Sequence, residues 1–247
     1  MFEIKTDNAK YWRDCVDAIV NLVDEGAFNI TKEGITLKAM DPSGISMVSF
    51  SIPSKAFAKF NVEKDVSVGL NLDSLGKVLS RTRDNEALVM KEGEGKLLLE
   101  FIGKSSRRRY KLPIIDVRKG VDKEPNVSFD ALVDVTGEPL KDIIKDANQI
   151  SSYISFKASK EQFTISAKGD SGELEESHEN DGSIIKKLET SAESSAVFNL
   201  EYLDKMVKAC PVGSSIHVSL KTNEPLRVSY GIGEAVITYF IAPYMEN

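Results

Sequence analysis

Apolar residues fall into two spacings along this chain. From about Asn8 to Val23, the residues Trp12, Cys15, Val16, Ile19, Leu22 and Val23 form one stripe at helical spacing. A second helix is expected to begin near Asp73, a good N-cap, and to bury Leu75, Val78 and Leu79. Elsewhere the period is two. Ile45-Ser46-Met47-Val48-Ser49-Phe50 and the stretch from Val212 to Leu220 alternate bulky with small or polar residues between Gly, Asn and Asp turns, the mark of short strands.

These patterns occur twice. Ile35-Thr36-Leu37-Lys38-Ala39 is matched 128 positions later by Phe163-Thr164-Ile165-Ser166-Ala167. The same offset carries Asn71, Leu75 and Lys77 onto Asn199, Leu203 and Lys205, and Arg13-Asp14-Cys15-Val16 onto Lys141-Asp142-Ile143-Ile144. Three ungapped segments with one offset define two copies of one domain, about 1–115 and 128–247. The partner helices then run from about Glu138 and from about Glu201. Between the copies, residues 116–127 lie within the stretch Ile114 to Ser128, which lacks sustained periodicity and carries Gly120 and Pro125. It reads as an extended surface connector. Short strands with two helices per copy imply an α+β fold, the helices of each repeated domain packing on one face of antiparallel sheet.

Composition narrows the class. The 247 residues are 41% hydrophobic and 28% charged, as expected of a soluble globular protein. No run approaches the roughly 20 apolar residues of a membrane span, and the opening MFEIKTDNAK has no apolar signal core, so the chain is expected to stay where it is made. Cys15 and Cys210 both sit in apolar helical patterns, which points to buried reduced thiols. Chemistry-bearing motifs are absent. The two histidines, His178 and His217, form no metal spacing, and there is no nucleophile elbow or phosphate-cradling loop. Gly231-Ile232-Gly233 is a short turn, and Asp41 before Pro42 suits a turn better than a general base. No enzymatic activity, metal or cofactor is expected.

Charge complicates this picture. With 38 acidic and 32 basic residues the net charge is −6, which by itself opposes binding to nucleic acid. The bases are not evenly spread. Opposite each apolar stripe stand two of them: Lys10 and Arg13, Lys77 and Arg81, Lys141 and Lys145, Lys205 and Lys208. Acidic neighbours such as Asp14, Asp17, Asp142 and Asp204 share these helices, so each pair alone reads as an ordinary solvated face. Repeated over four related helices, the pairs amount to a sparse positive track suited to sequence-blind contact with phosphates. No base-reading motif accompanies them.

Five stretches carry a more specific signal by their order and spacing: Gly34-Ile35-Thr36-Leu37-Lys38-Ala39-Met40-Asp41 continuing to Ser46-Met47-Val48, Val68-Gly69-Leu70-Asn71-Leu72 through Lys77-Val78-Leu79, Glu201-Tyr202-Leu203, Pro225-Leu226-Arg227-Val228 and Tyr239-Phe240-Ile241-Ala242-Pro243. Through them nearly the whole chain resembles the PCNA family of DNA sliding clamps. The short ending Tyr244-Met245-Glu246-Asn247 is similar to archaeal members. The resemblance implies a DNA-clamp fold whose subunits close into a pseudo-sixfold ring, usually a homotrimer, around duplex DNA. It implies a clamp loader, and docking of DNA polymerase, flap endonuclease and DNA ligase through short peptides. The peptide pocket would be formed by Met40, Ile45, Met47, Val117, Val121, Pro225, Phe240, Ala242 and Pro243. Methionines at such a site can adapt to different partners, although Met40 and Met47 also read as plain core residues. Two departures stand out: the connector carries Gly120 and Asp122 where larger apolar residues are frequent, and Glu201 replaces a frequent basic residue.

One further feature fits a ring. Arg107-Arg108-Arg109 precedes Tyr110-Lys111-Leu112 at the end of the first copy, and Glu173, Glu175, Glu176 and Glu179 crowd the second. In the family the corresponding strands pair across the subunit boundary, so Arg107, Arg108, Arg109 and Tyr110 would meet Glu173, Glu175 and Glu176 of the next chain, with opposite charges favouring head-to-tail closure. The arginine run alone also reads as a nucleic-acid patch or a solvated edge. A heterotrimeric or damage-signalling clamp subunit is the alternative role. The expected location is the cytoplasm of an archaeal-type cell beside the nucleoid, or the nucleus of a eukaryote.

Overall fold

The computed structural model describes residues 1–117 and 123–245. The first copy supplies β1 (Phe2–Thr6), α1 (Ala9–Val20), β2 (Glu25–Ile30), β3 (Gly34–Met40), β4 (Ser46–Pro53), β5 (Lys59–Val62), β6 (Val66–Asn71), α2 (Leu72–Leu79), β7 (Ala87–Gly93), β8 (Lys96–Ile102) and β9 (Arg107–Pro113). The second supplies β10 (Ala131–Thr136), α3 (Gly137–Ala147), β11 (Tyr153–Ala158), β12 (Gln162–Gly169), β13 (Gly172–Glu179), β14 (Ile185–Thr190), β15 (Ser194–Asn199), α4 (Leu200–Val207), β16 (Ser215–Leu220), β17 (Leu226–Ile232) and β18 (Ala235–Ile241). The internal repeat is visible in the element bounds: α4 begins and ends 128 positions after α2, and the same shift carries β2 onto β11 and β6 onto β15.

The described chain divides into two compact units. Unit 1 holds Met1–Gly44, Val48–Lys123 and Ile232–Ile237; unit 2 holds Ile45–Met47, Glu124–Gly231 and Thr238–Asn247. Two short segments thus belong to the unit that the rest of their copy does not, which periodicity alone could not reveal. In unit 1, one antiparallel sheet runs β5-β1-β7-β8-β9 and a second set runs β4-β3-β2-β6. The helices α1 and α2 pack side by side, a Cβ on Gly76 falling only 3.5 Å from Val20. Trp12 of α1 anchors the core, its ring 5.8 Å from Phe28, 6.2 Å from Phe50 and 6.0 Å from Phe57. Rings at these separations add modestly to the burial that drives the packing.

Unit 2 repeats the plan with β13-β12-β11-β15 and with the set β14-β10-β16-β17-β18. Phe156 lies 5.4 Å from Phe163 and 6.1 Å from Phe198 at its centre. The hydroxyl of Tyr230 donates to the Met206 carbonyl at 2.9 Å, near the end of α4, and lies 3.0 Å from the Tyr239 hydroxyl. A buried phenol needs such partners, and here it supplies one to a helix end.

Several boundaries differ from the periodicity. Helix α1 ends at Val20; Leu22 and Val23 remain buried, but in a turn whose N–H groups donate back to Ile19 at 3.1 and 3.2 Å. The cap of α2 is Asn71, accepting from the Ser74 N–H at 2.8 Å, and not Asp73. Starting one residue earlier places Leu72 in the core, and Asp73 instead bonds Lys77 one turn on at 2.5 Å. Asn199 caps α4 in the same way, so this helix too starts before its expected Glu201, and α3 starts at Gly137. Val78 is only half-buried. Strand β4 begins at Ser46 and continues to Pro53, leaving Ile45 outside it, and β16 begins at Ser215, with Val212 exposed before the turn at Gly213, φ +77°.

Candidate functional site

The eight helix-face bases separate once their partners are known. Lys10, Arg81 and Lys208 are exposed and make no ion pair among the described residues. Lys77 is held by Asp73, Lys145 by Asp142 at 2.9 Å, Lys205 by Glu201 at 2.7 Å, and Arg13 by Asp14 at 2.6 Å. Lys141 is the clearest departure from expectation. Its Nζ donates to the Cys210 carbonyl at 2.5 Å, just after α4, so its charge serves a helix end and is half-buried. Of these eight, unit 1 thus offers two loose cations and unit 2 one, a sparse charge that gives only weak and strongly salt-dependent contact with polyanions.

The residues expected to form a docking pocket divide by exposure. Met40 and Ile45 are 42% and 39% exposed, among the few large apolar side chains that face solvent, whereas Met47 and Phe240 are buried at 1% and 4%. Met47 and Phe240 are therefore core residues and offer no surface for a ligand. In unit 2 the Ala242 N–H donates to the Ile45 carbonyl at 2.9 Å, which brings the exposed Ala242 beside Ile45; Pro225 and Pro243 are half-buried. In unit 1 the start of the connector lies on β6: the Ile115 N–H donates to the Gly69 carbonyl at 2.9 Å, and the half-buried Val117 touches the same glycine. Val121, Gly120 and Asp122 lie outside the described residues.

A neighbouring feature of unit 2 escaped the sequence reading. Tyr244 stacks on Tyr153 with ring centres 4.0 Å apart, and its N–H donates to the Val197 carbonyl at 2.7 Å. With Ser155, Ser166 and Lys168 they border an open groove of about 470 Å³. An aromatic residue directly after Ala242-Pro243 was the one available signal.

Both expected pairing strands are sheet edges, β9 in unit 1 and β13 in unit 2. Strand alternation sorts their side chains. On β9, Arg107, Arg109 and Lys111 face out, the two arginines leaning on Glu100 at 3.5 and 2.7 Å. Arg108 faces in and pairs with the buried Glu86 at 2.6 Å, and Tyr110 sets its ring edge-on to Phe101 at 5.8 Å. On β13, Glu173, Glu175 and Glu179 face out, Glu173 bonding Lys168 at 2.5 Å. Glu176 falls on the half-buried face, 3.0 Å from His178. Arg108, Tyr110 and Glu176 thus leave the outward row by the period of two, and Lys111 joins it.

Burial pushes the Cys15 thiol up to about 12 and that of Cys210 to about 11, and both are free. No group of His, Cys, Asp and Glu among the described residues could hold a metal, and no described helix is long and apolar enough to cross a membrane. Asp41 is buried in a turn, accepting from the Ser43 N–H at 3.0 Å.

Comparison with known proteins covers the whole chain. The proliferating cell nuclear antigen N-terminal domain matches residues 1–120, and its C-terminal domain matches residues 123–244. The DNA polymerase sliding clamp of Thermococcus gammatolerans is 33% identical over 247 residues, spanning 100% of this chain and 99% of that protein. That of Pyrococcus furiosus is 32% identical over the same extent. The crystal structure of PCNA from Thermococcus kodakaraensis superposes with a TM-score of 0.93 at 25% identity, covering 99% of this chain and 100% of that one. A. fulgidus PCNA, solved with the C-terminal region of FEN-1 bound, gives 0.90 at 25% identity, covering 100% of both.

Proposed function

The chain belongs to the proliferating cell nuclear antigen family, and from that premise we propose that it acts as a closed ring around duplex DNA, to which replication and repair enzymes are tethered. It is a DNA sliding clamp. The observation that carries this reading is the unbroken similarity of both domains, end to end, to DNA polymerase sliding clamps. Chemistry of its own is not part of the role: the clamp works by topology, and catalysis belongs to the enzymes it holds.

The ring is proposed to be a homotrimer. One chain carries both a cationic edge, β9, and an anionic edge, β13. Such unlike edges favour head-to-tail contacts, which close into a ring when the rotation permits. Three two-domain chains would give the pseudo-sixfold arrangement, with the cations of α1 to α4 facing DNA. Closing a ring on DNA needs a clamp loader. Partner peptides from a polymerase, a flap endonuclease or a ligase would seat an apolar side chain against Ile45 and Ala242 of unit 2. The groove beside Tyr153 and Tyr244 would receive the residues flanking that anchor. The site of action would be chromosomal DNA in the cytoplasm of an archaeal-type cell.

Light scattering over a range of chain concentrations tests the ring. A mass three times the 27.2 kDa of one chain is expected at low salt. A single-chain mass at every concentration contradicts the homotrimer.

A further inference from the structure

Arg108 faces into unit 1 from the outermost strand of its sheet, while Arg107 and Arg109 on either side face solvent. Its guanidinium meets three groups. Nη2 donates to Glu86 Oε2 at 2.6 Å and to the Arg81 carbonyl at 3.1 Å, and the guanidinium carbon stands 4.9 Å from the centre of the Phe101 ring. Glu86 is 3% exposed. Its Oε2 also accepts from the Arg83 N–H at 2.9 Å, and its own carbonyl accepts from the Ala9 N–H, where α1 begins, at 2.8 Å. Asn85, at φ +58°, turns the chain immediately before it. One ion pair, the buried Glu86 with the half-buried Arg108, therefore joins the edge strand β9, the loop after α2 and the first turn of α1.

Stability does not account for such a pair. Desolvating two charges costs about as much as their attraction returns, and well-packed apolar residues often serve as well or better. The cost is heightened here, because Glu86 Oε1 and Arg108 Nε are buried without a hydrogen-bond partner among the described residues. What an inward charge gives an edge strand is register. A slip of one residue would drive Arg107 or Arg109 against Phe101 and carry Arg108 away from Glu86, so only one alignment on β8 is tolerable. In that alignment Arg109 lies opposite Glu100 and Arg108 opposite Phe101.

We infer that Glu86 and Arg108 are positioning residues for ring closure: their inward-facing pair fixes β9 in the register that presents Arg107, Arg109 and Lys111 to the next chain, and ties that edge to the loop carrying Arg81. This rests on the ring reading above. The inference can fail while the ring stands, and the test tells the two failures apart.

The test compares the wild type with Arg108→Met, Glu86→Gln and the double variant Glu86→Leu/Arg108→Met. Two quantities are read on the full chain. One is melting by circular dichroism, at a concentration where light scattering gives a single-chain mass. The other is the concentration at which the trimer mass is half reached. Both single variants are expected to melt lower and to need about tenfold more chain to assemble. The double variant leaves no buried charge unpaired, so its melting should recover while about a tenfold assembly deficit persists. A double variant that assembles at the wild-type concentration overturns the inference, because the pair then contributes stability alone. Should the double variant not fold, Arg108→Lys makes the same comparison: it keeps the charge opposite Glu86 but lacks the fork that reaches two acceptors. It is expected to melt near the wild type and assemble less well, and assembly equal to wild type again overturns the inference. A wild type that remains monomeric throughout refutes the ring itself, and the inference with it.

Discussion

Met40 and Ile45 are exposed whereas Met47 and Phe240 are core, so truncation should separate docking from stability. Met47→Ala or Phe240→Ala is expected to lower the unfolding free energy by about 2–5 kcal/mol in urea titrations, since each leaves a cavity. Met40→Ala and Ile45→Ala should change it by under about 1 kcal/mol, yet weaken binding of a partner peptide severalfold. The thiols give a second prediction. Desolvation raises Cys15 from 9.0 to about 12 and Cys210 to about 11, so both favour the protonated, folded form. A raised folded value stabilises fully below the unfolded value and is lost as pH climbs through the folded one. The urea midpoint should therefore fall between about pH 9 and 11, and fall less in a variant with both cysteines replaced by alanine. Native protein at about pH 8 should also resist a thiol-specific reagent. Some of this was legible beforehand. Met40 shares the outward parity of Thr36 and Lys38 along β3, so alternation marks it as exposed. Met47 shares the parity of Ser49, yet is buried where the strand begins, and no local pattern carries that information.

Among the elements, the edge strands and the start of the connector give the proposed ring its most direct tests. Reversing Arg107 and Arg109 to Glu would set like charges on both edges, and assembly at low salt should weaken by at least about tenfold. Equal assembly by the reversed chain would show that charge pairing does not hold the subunits. Gly69 makes a different demand. A Cβ there would stand 2.2 Å from the Ile115 carbonyl oxygen and 2.9 Å from a Val117 methyl group. Gly69→Ala should therefore lift residues 114–117 off β6, raising hydrogen exchange at Ile115 by about tenfold or more while β2 and β3 exchange as before. The four helices could be read from the chain because an apolar stripe is local information, although the start of α2 was expected at Asp73 and its cap is Asn71. The inward turn of Arg108 could not, since three consecutive arginines look alike until Glu86 is placed opposite the middle one. Lys141 was misread for a similar reason: its acceptor, the Cys210 carbonyl, lies 69 residues away in sequence.

For the molecule as a whole, the acidic balance and the DNA role must be reconciled. A net charge of −6 repels a polyanion at long range, and half of the helix cations are already paired with acidic neighbours. Affinity for an open duplex should consequently be weak and should fall steeply with salt. In the proposed ring, enclosure would remove the need for affinity: a closed ring can touch its DNA loosely and still slide. The repeat, readable from one constant offset, foretold the doubled domain, whereas the exchange of the segments 45–47 and 232–237 between units depends on contacts far apart in the chain. The most direct measurement is retention on DNA of two topologies. The clamp is loaded onto a nicked circular plasmid by a clamp loader and ATP, freed of unbound protein at raised salt, and then half of the plasmid is cut once with a restriction enzyme. Protein that stays on the circles and leaves the linear molecules is the predicted result. Equal retention, or equal loss, on circular and linear DNA would contradict topological attachment.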